Sequence, residues 1–290
     1  MQDAADVALP ASGRRLVHGR LDVEFSVDSA GRTYLDRQYA NHPFHICRPH
    51  YHDNDLPGLA TLYAQSCSGG LYEDDRLDIR IVARAGAEAH VTTQAATVVH
   101  SMPSGSALQN VRIEVERGAF LEYLPDPLIL FPNSRCTSTM NVRVTEGAAV
   151  LISDAFLKHD PDGGEGVFAS YFSEIVIGND AGKTLSIDRL KLDGQSLIAR
   201  HPGITGAFAA QGTLVVASFD TLPQAVLAEI RKIRFDYGEA AIGVSQLPKS
   251  AGLIVRVLAI DGAALKRAMH ASWCAARLSL KGALPVERRK

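Results

Sequence analysis

Residues 77–97 read LDIRIVARAGAEAHVTTQAAT, and this stretch decides the fold class of the chain. Leu77 to Ile81 alternate apolar and polar residues, the pattern of a strand with one face in a core and the other in water. Gly86-Ala87 interrupt the alternation, because glycine adopts turn and bulge geometries that other residues resist. The uncharged run that follows, residues 92–99, is typical of a buried strand whose hydroxyl and amide groups need hydrogen-bonding partners.

The same unit recurs twice further along the chain. Charged, alternating strands lead into Gly118-Ala119 and Gly147-Ala148, and successive glycines lie 32 and 29 positions apart. Three strand–turn–strand units of this kind predict stacked, solenoid-like β-layers. An ordinary antiparallel meander that reuses one turn sequence would show the same spacing, so both arrangements stay open at this point.

Two helices are expected after this β-rich region. Residues 222–234 follow Asp220 and Thr221, either of which can cap a helix, and they place apolar side chains on one face. A second helix is predicted from Asp261 to about Leu280. The predicted fold class is therefore mainly β, with stacked antiparallel or solenoid-like β-layers and two α-helices near the C-terminus.

The composition argues against several classes of protein. Thirty Lys and Arg against 32 Asp and Glu leave a net charge of −2, whereas a nucleic-acid-binding protein needs surplus cations. The longest apolar runs fall far short of the roughly 18 residues that a membrane span requires. The N-terminus has no signal-peptide pattern, and four widely spaced cysteines are typical of reduced thiols. We therefore expect a cytoplasmic protein that binds neither nucleic acid nor membrane.

The chain has no linker or change of composition that would mark a domain boundary. Residues 1–290 are interpreted as a single domain, with short flexible ends at about 1–16 and 285–290.

One segment resembles the end of a phosphate-binding loop. Only three residues separate Gly178 from Gly182-Lys183-Thr184, where that motif has four. The residues that follow alternate like a strand, whereas a phosphate cradle opens a helix. A hairpin turn is therefore predicted here.

The densest group of metal-ligating side chains lies in residues 42–52. It consists of His42, His45, Cys47, His50 and His52. Imidazole and thiolate groups suit nickel, zinc and copper. A spacing of two places His45 with Cys47 on one face of a strand, and His50 with His52 likewise. Two prolines break the segment, so transient metal contact, a closed structural site and a polar loop with local hydrogen bonds all stay open.

Carboxylates on loops beside strands offer a different chemistry. Paired carboxylates about 5–9 Å apart hydrolyse glycosidic bonds. The alternative hypothesis is therefore a β-helical carbohydrate-active enzyme that uses Asp75, Glu122 and Asp126. A third is a β-rich binding subunit with no metal role.

Several of these segments together resemble the UreD family of urease accessory proteins, also called UreH. The resemblance spans about residues 20–285 and rests on Gly69-Gly70 with Asp75-Arg76-Leu77, Gly86-Ala87 with Thr92-Thr93-Gln94-Ala95-Ala96-Thr97, Gly118-Ala119 with Leu121-Glu122-Tyr123-Leu124-Pro125-Asp126-Pro127, Gly147-Ala148, and the late helix. The chain departs from the family pattern at Glu73-Asp74, where the family often has a second glycine, and again at residues 158–165.

The resemblance implies a non-enzymatic chaperone for nickel insertion with an elongated, solenoid-like fold. Proteins of this family bind the helical partner UreF, which recruits the GTPase UreG. The assembly, expected to be a dimer of heterotrimers, docks on apo-urease and helps to load its nickel. Nickel is thought to pass through an internal passage, so it is handled transiently and no cofactor is bound stably.

Three groups of candidate site residues follow. Charged, hydroxyl or amide groups set among strand residues are candidates for the polar interior or passage: Asp75, Thr92, Thr93, Gln94 and Glu122. The late helix offers partner-binding candidates, because Trp and Met are favoured at interface centres: Leu265, Met269, Trp273 and Arg277. Transient metal contact is assigned to His42, His45, Cys47, His50 and His52.

Overall fold

The computed structural model of the chain describes residues 17–219, 224–235 and 238–286. In chain order the strands are β1 (His18–Val27), β2 (Thr33–Ala40), β3 (Phe44–Ile46), β4 (Ala60–Ser66), β5 (Arg76–Ala83), β6 (Glu88–Thr93), β7 (Thr97–Val99), β8 (Ala107–Val115), β9 (Phe120–Tyr123), β10 (Leu128–Leu130), β11 (Arg135–Val144), β12 (Ala149–Lys158), β13 (Ser170–Asn179), β14 (Thr184–Leu192), β15 (Ala210–Ser218), β16 (Ala240–Gln246) and β17 (Gly252–Ala259). The helices are α1 (Gly194–Ile198), α2 (Gln224–Lys232) and α3 (Gly262–Lys281). The predicted mainly β class is confirmed.

The strands form two sheets that pack face to face. Sheet A has the strand order β14-β13-β11-β8-β5-β1-β2, and sheet B has the order β16-β17-β15-β12-β9-β6-β4-β3. In the middle of both sheets the neighbours run parallel, from β1 to β13 in sheet A and from β4 to β12 in sheet B. Antiparallel pairs lie toward the edges. The solenoid-like prediction is confirmed, and the antiparallel meander is wrong for the centre of the molecule.

The repeated Gly-Ala pairs are the turns that carry the chain from sheet A to sheet B. Gly86, Gly118 and Gly147 have φ angles of +74°, +70° and +81°, a left-handed conformation that residues with a Cβ atom resist. The turns are stacked, since the Gly86 N–H donates to the Arg117 carbonyl at 3.1 Å and the Gly118 N–H donates to the Gly147 carbonyl at 3.0 Å. The repeat in the sequence is therefore a column of turns along one side of the sandwich.

Sheet B is buried on both faces. Its inner face, which includes Val91, Leu121 and Val150, packs into the core shared with sheet A. Its outer face, which includes Leu151 and Leu214, is covered by α2 and α3. Parallel strands covered on both faces are mostly apolar, which explains why the stretches that follow the glycine turns carry so few charges.

The outer face of sheet A is polar and carries ion pairs between neighbouring strands. The Glu24 carboxylate accepts hydrogen bonds from Arg80 at 2.8 Å and from Arg84 at 2.6 Å, and Arg84 also reaches Glu116 at 2.8 Å. Hydrogen bonds from the two arginines hold the pKa of Glu24 below its ordinary value. The alternating charges that predict strands in the sequence thus form a ladder across this face.

The helix predictions hold in outline. The second predicted helix is α3, whose first turn is capped by Asp261, with Oδ1 accepting from the Ala264 N–H at 2.8 Å. The first is α2, but its proposed caps, Asp220 and Thr221, lie outside the described residues. The sequence did not predict α1, a five-residue helix capped by Asp193. None of the described helices is long and apolar enough to cross a membrane.

The predicted hairpin is also confirmed. Strands β13 and β14 pair antiparallel on either side of the turn that contains Gly182-Lys183. The Lys183 N–H donates to the Asn179 side chain at 2.9 Å, so these groups stabilise a turn between strands rather than open a helix.

The stacked turns generate a stability prediction. In Gly118→Ala the new Cβ has room, since its nearest neighbours are Gly86 atoms 3.9 and 4.0 Å away, but the positive φ is retained. We expect the free energy of unfolding to fall by about 1–2 kcal/mol in denaturant titrations. The control is Gly203→Ala, an exposed site outside the positive-φ set, which should leave stability unchanged or slightly higher. Equal losses at both sites would contradict the role given to the turn column.

Candidate functional site

The polar residues of β6 and β9 divide between the two faces of sheet B. Successive side chains of a strand point to opposite faces. Thr92 and Glu122 lie on the outer face, beneath the helices, where the Thr92 hydroxyl donates to the Leu124 carbonyl at 2.7 Å. Thr93 and Gln94 line a cavity between the sheets. The five residues predicted for one passage therefore fall into two separate sites.

The first site is a buried ionic cluster around Glu122, which has no exposed surface. Its Oε2 lies 2.8 Å from Nδ1 of His90, the residue that pairs with it on the neighbouring strand. The indole Nε1–H of Trp273 donates to Oε1 at 2.7 Å, and Arg277 Nη1 lies 3.6 Å from Oε2. We call Glu122, His90, Trp273, Arg277 and Asp53 the Glu122 cluster.

The remaining contacts of the Glu122 cluster connect it to a distant loop. The Arg277 Nη2 group donates to Oδ2 of Asp53, and the other oxygen of Asp53 accepts from the backbone N–H groups of Asp55 and Leu56. The rings of His90 and Trp273 stack with centroids 5.1 Å apart. A small cavity of about 30 Å³ lies beside these groups. The cluster thus joins the loop after β3, the middle of sheet B and helix α3.

The charges of the cluster determine the ionisation of Glu122. Burial alone raises the pKa of this carboxyl. That effect is outweighed by the hydrogen bond with His90, the charges of His90 and Arg277, and the hydrogen bond from Trp273. The pKa of Glu122 therefore lies below the ordinary 4.5. An ionised carboxylate with these partners is a structural anchor for α3. Glu122 lies on the outer face of sheet B, whereas Asp75 lines the cavity between the sheets, and Asp126 lines both that cavity and the groove beside α3.

The second site is the cavity between the sheets, which has a volume of about 200 Å³. Its polar lining includes Asp75, Thr93, Gln94, Asp126 and Asp154. Asp75 is 2% exposed, and its Oδ2 accepts from the Tyr72 N–H at 2.9 Å. The Thr93 hydroxyl accepts from the Asp126 N–H at 2.8 Å. The wall therefore presents several carboxylate, amide and hydroxyl oxygens to one space.

Asp154 is a carboxyl of this cavity whose acidity is changed by burial. Burial raises its pKa above the ordinary 3.8, against the effect of hydrogen bonds from Ser173 and Tyr171. The Tyr171 hydroxyl lies 2.7 and 2.9 Å from its two oxygens. Oxygen donors of this kind suit hard or borderline divalent cations. Within residues 17–219, 224–235 and 238–286, however, no three His, Cys, Asp or Glu side chains are close enough to hold a metal ion together.

The histidine-rich segment forms two pairs rather than one site. His45 Nδ1 and the Cys47 thiol lie 3.8 Å apart, and both contact the Gln65 side-chain oxygen. The rings of His50 and His52 stack with centroids 4.9 Å apart. Each pair lies together, as its spacing of two predicts. The five residues predicted to contact metal include His42 as well as these two pairs. Among the described residues they do not form a closed site. Transient metal contact stays a prediction.

The partner-binding candidates on α3 lie mainly against sheet B. Leu265 is fully buried, Trp273 is 5% exposed and Arg277 is 2% exposed, while Met269 is half-buried. Leu265, Met269 and Trp273 also line an apolar groove of about 570 Å³. Within this chain the three most buried residues stabilise the packing of α3. Their contact with a partner stays a prediction.

Sequence reasoning missed three residues of these sites. His90 lies two positions before Thr92 and shares the outer face with it. Period-two alternation alone could therefore have identified His90. Asp53 and Asp154 had no such signal. Asp53 meets Arg277 across 224 residues of sequence, a contact that only the tertiary fold creates.

Comparison with known proteins gives one consistent result. The family model described as UreD urease accessory protein matches residues 17–290. The chain is 39% identical over 288 residues to "Urease accessory protein UreD 1" of Pseudomonas syringae pv. syringae, covering 99% of this chain and 100% of that protein. It is 36% identical to "Urease accessory protein UreD 1" of Bradyrhizobium sp. BTAi1, covering 97% of both chains. It is 34% identical to "Urease accessory protein UreD" of Natronomonas pharaonis, covering 89% of this chain and 86% of that protein.

The Glu122 cluster predicts distinct effects for two substitutions of Trp273. Trp273→Ala removes a large buried ring, so the free energy of unfolding should fall by about 3–5 kcal/mol. Trp273→Phe keeps a ring against His90 but removes the indole donor, so the loss should be about 1–3 kcal/mol. Denaturation followed by circular dichroism measures both. If Trp273→Ala changed stability no more than an exposed-site variant such as His201→Ala does, the cluster would not anchor α3.

The ionised state of Glu122 predicts a pH dependence. A carboxyl whose pKa is lower in the folded chain contributes stability above its ordinary pKa, and that contribution is lost as the pH falls through the folded-state pKa. Wild-type protein should therefore lose stability more steeply than Glu122→Gln as the pH falls below the ordinary carboxyl pKa of 4.5, although Glu122→Gln is less stable at neutral pH. Fluorescence of Trp273, the single tryptophan of the chain, can follow unfolding in both. Parallel pH profiles would contradict the assigned charge.

Proposed function

The chain belongs to the UreD family of urease accessory proteins, and we propose that it is a non-enzymatic scaffold that helps to insert nickel into apo-urease. The observation that carries the proposal is a family match over nearly the whole chain, with relatives of similar length. Nickel insertion and the partners are inferred from membership of this family.

The cavity between the sheets is the proposed route for nickel. Asp75, Asp126 and Asp154 supply carboxylate oxygens there, and Thr93 and Gln94 add neutral donors. Such oxygens bind a borderline cation weakly. A wall of scattered donors holds an ion less tightly than a closed set of three or four ligands, and a conduit requires that the ion can leave again.

The proposed partners are UreF, the GTPase UreG and apo-urease, assembled in the cytoplasm as a dimer of heterotrimers. The nucleotide chemistry is assigned to UreG, because Gly182-Lys183-Thr184 lies at a hairpin between β13 and β14. Phosphate binding by backbone N–H groups requires the N-terminus of a helix or a similar nest, which this turn does not open. The chain is thus proposed to contribute binding surfaces and a polar interior.

The experiment that tests partnership is co-expression of tagged chain with UreF, UreG and apo-urease. We expect the four proteins to co-purify, and we expect deletion of the chain to leave urease depleted in nickel as measured by elemental analysis. A chain that forms no complex with these proteins, and whose deletion leaves urease fully loaded, would contradict the proposal.

The cavity predicts a separate defect. The double variant Asp75→Asn, Asp154→Asn removes two carboxylates from the lining while keeping side-chain shape. We expect it to co-purify with its partners but to lower the nickel content of urease several-fold when nickel is limiting. The matched control is Asp180→Asn, an exposed carboxylate of the β13–β14 turn, which should leave loading unchanged. Full loading by the double variant would exclude the cavity as the route.

A further inference from the structure

The exposed edges of the two sheets differ in how they are protected. Edge strands normally carry charged residues or are very short, because unpaired backbone groups attract other strands. In sheet A, β2 carries Asp36 and Arg37 and β14 carries Asp188, Arg189 and Lys191, while in sheet B the edge strand β3 has three residues. Strand β16, at the other edge of sheet B, is seven residues long and has no charged residue.

The hydrogen-bond register shows which backbone groups of β16 point away from the sheet. At one end of the β16–β17 ladder the Leu247 N–H donates to the Gly252 carbonyl at 2.7 Å, and at the other the Ile260 N–H donates to the Glu239 carbonyl at 3.1 Å. Antiparallel ladders alternate between hydrogen-bonded and non-hydrogen-bonded pairs. Odd-numbered residues of β16 therefore bond to β17, and the N–H and C=O groups of 240, 242, 244 and 246 point outward. Among the described strands, none pairs with this edge.

The side chains of β16 leave that edge accessible. Ile242 and Val244 are half-buried and pack with the hydrophobic cluster beneath the helices. Gly243 is exposed, and a Cβ atom built on it would meet no atom within 4 Å. Gly243 is also outside the set of glycines with positive φ, so its backbone conformation accepts other residues.

We propose that β16 is a self-association edge, at which two copies of this chain pair antiparallel about a twofold axis at Gly243 and extend sheet B across the dimer. The outward-pointing residues are placed symmetrically about position 243. A twofold axis there pairs residue 242 of one copy with residue 244 of the other, and residue 240 with residue 246, as hydrogen-bonded pairs. The strand is self-complementary because it has no charge to repel its own copy. At the axis Gly243 faces Gly243 in a non-hydrogen-bonded pair, where Cα atoms approach to about 4.5 Å.

The size of the contact sets the expected strength. A single seven-residue strand buries less surface than the roughly 1,600 Å² of a standard stable interface, so the association should be weak and dependent on concentration. The proposed occupant is a second copy, because the uncharged strand AAIGVSQ meets no like charge when it pairs with itself about Gly243.

The first test is sedimentation of the full chain over a range of concentrations. Wild-type protein should shift from monomer to dimer as concentration rises. Gly243→Lys places two like charges opposite each other at the axis and should remain monomeric, with circular dichroism checking that it folds. The control is Gly203→Lys, which adds the same charge at another exposed glycine and should dimerise like wild type. A wild-type chain that stays monomeric, or a folded Gly243→Lys chain that dimerises equally, would overturn the proposal.

The second test does not depend on the lysine variant. Two cysteines at position 243 would lie within the Cα separation of about 4.4–6.8 Å that disulfides span. Gly243→Cys should therefore form a disulfide-linked dimer under mild oxidation, reversed by reductant, well above the background from the native cysteines. Gly203→Cys provides that background. Equal cross-linking of the two variants would place the dimer contact elsewhere and reject the β16 edge.

Discussion

The buried carboxylate of Glu122 is the constraint on which the arrangement of the C-terminal half depends. A charge with no access to water is tolerated only when it is paired and hydrogen-bonded. His90 supplies one partner from within the sheet, whereas Trp273 and Arg277 must come from α3. These contacts position α3 on sheet B. Since Arg277 also binds Asp53, the loop that follows the histidine-rich segment is held by the same charge.

The alternation of side chains along β6 and β9 gives sheet B two different interiors. One face contains the Glu122 cluster and is closed by α2 and α3. The other face closes on sheet A, and near Asp75 it leaves a cavity whose lining includes several carboxylates. Thr92 and Thr93 are neighbours in sequence, yet they belong to opposite faces. Substitutions one residue apart should therefore affect stability at one position and cavity chemistry at the next.

Much of the fold could be predicted from the sequence, because its signals are local. Gly86, Gly118 and Gly147 mark turns that need a left-handed backbone, and Asp261 marks the start of α3. Alternation alone does not distinguish parallel from antiparallel strands, so the solenoid could not be separated from a meander. The functional sites were less predictable, since the Asp53–Arg277 pair and the position of Asp154 in the cavity depend on contacts between distant segments.

We propose that nickel passes through the cavity between the sheets. Anomalous diffraction at the nickel absorption edge, from crystals of the chain soaked in nickel, tests it most directly. An anomalous peak is expected within the cavity lined by Asp75 and Asp154. Peaks confined to the surface pairs His45–Cys47 and His50–His52, with an empty cavity, would contradict it.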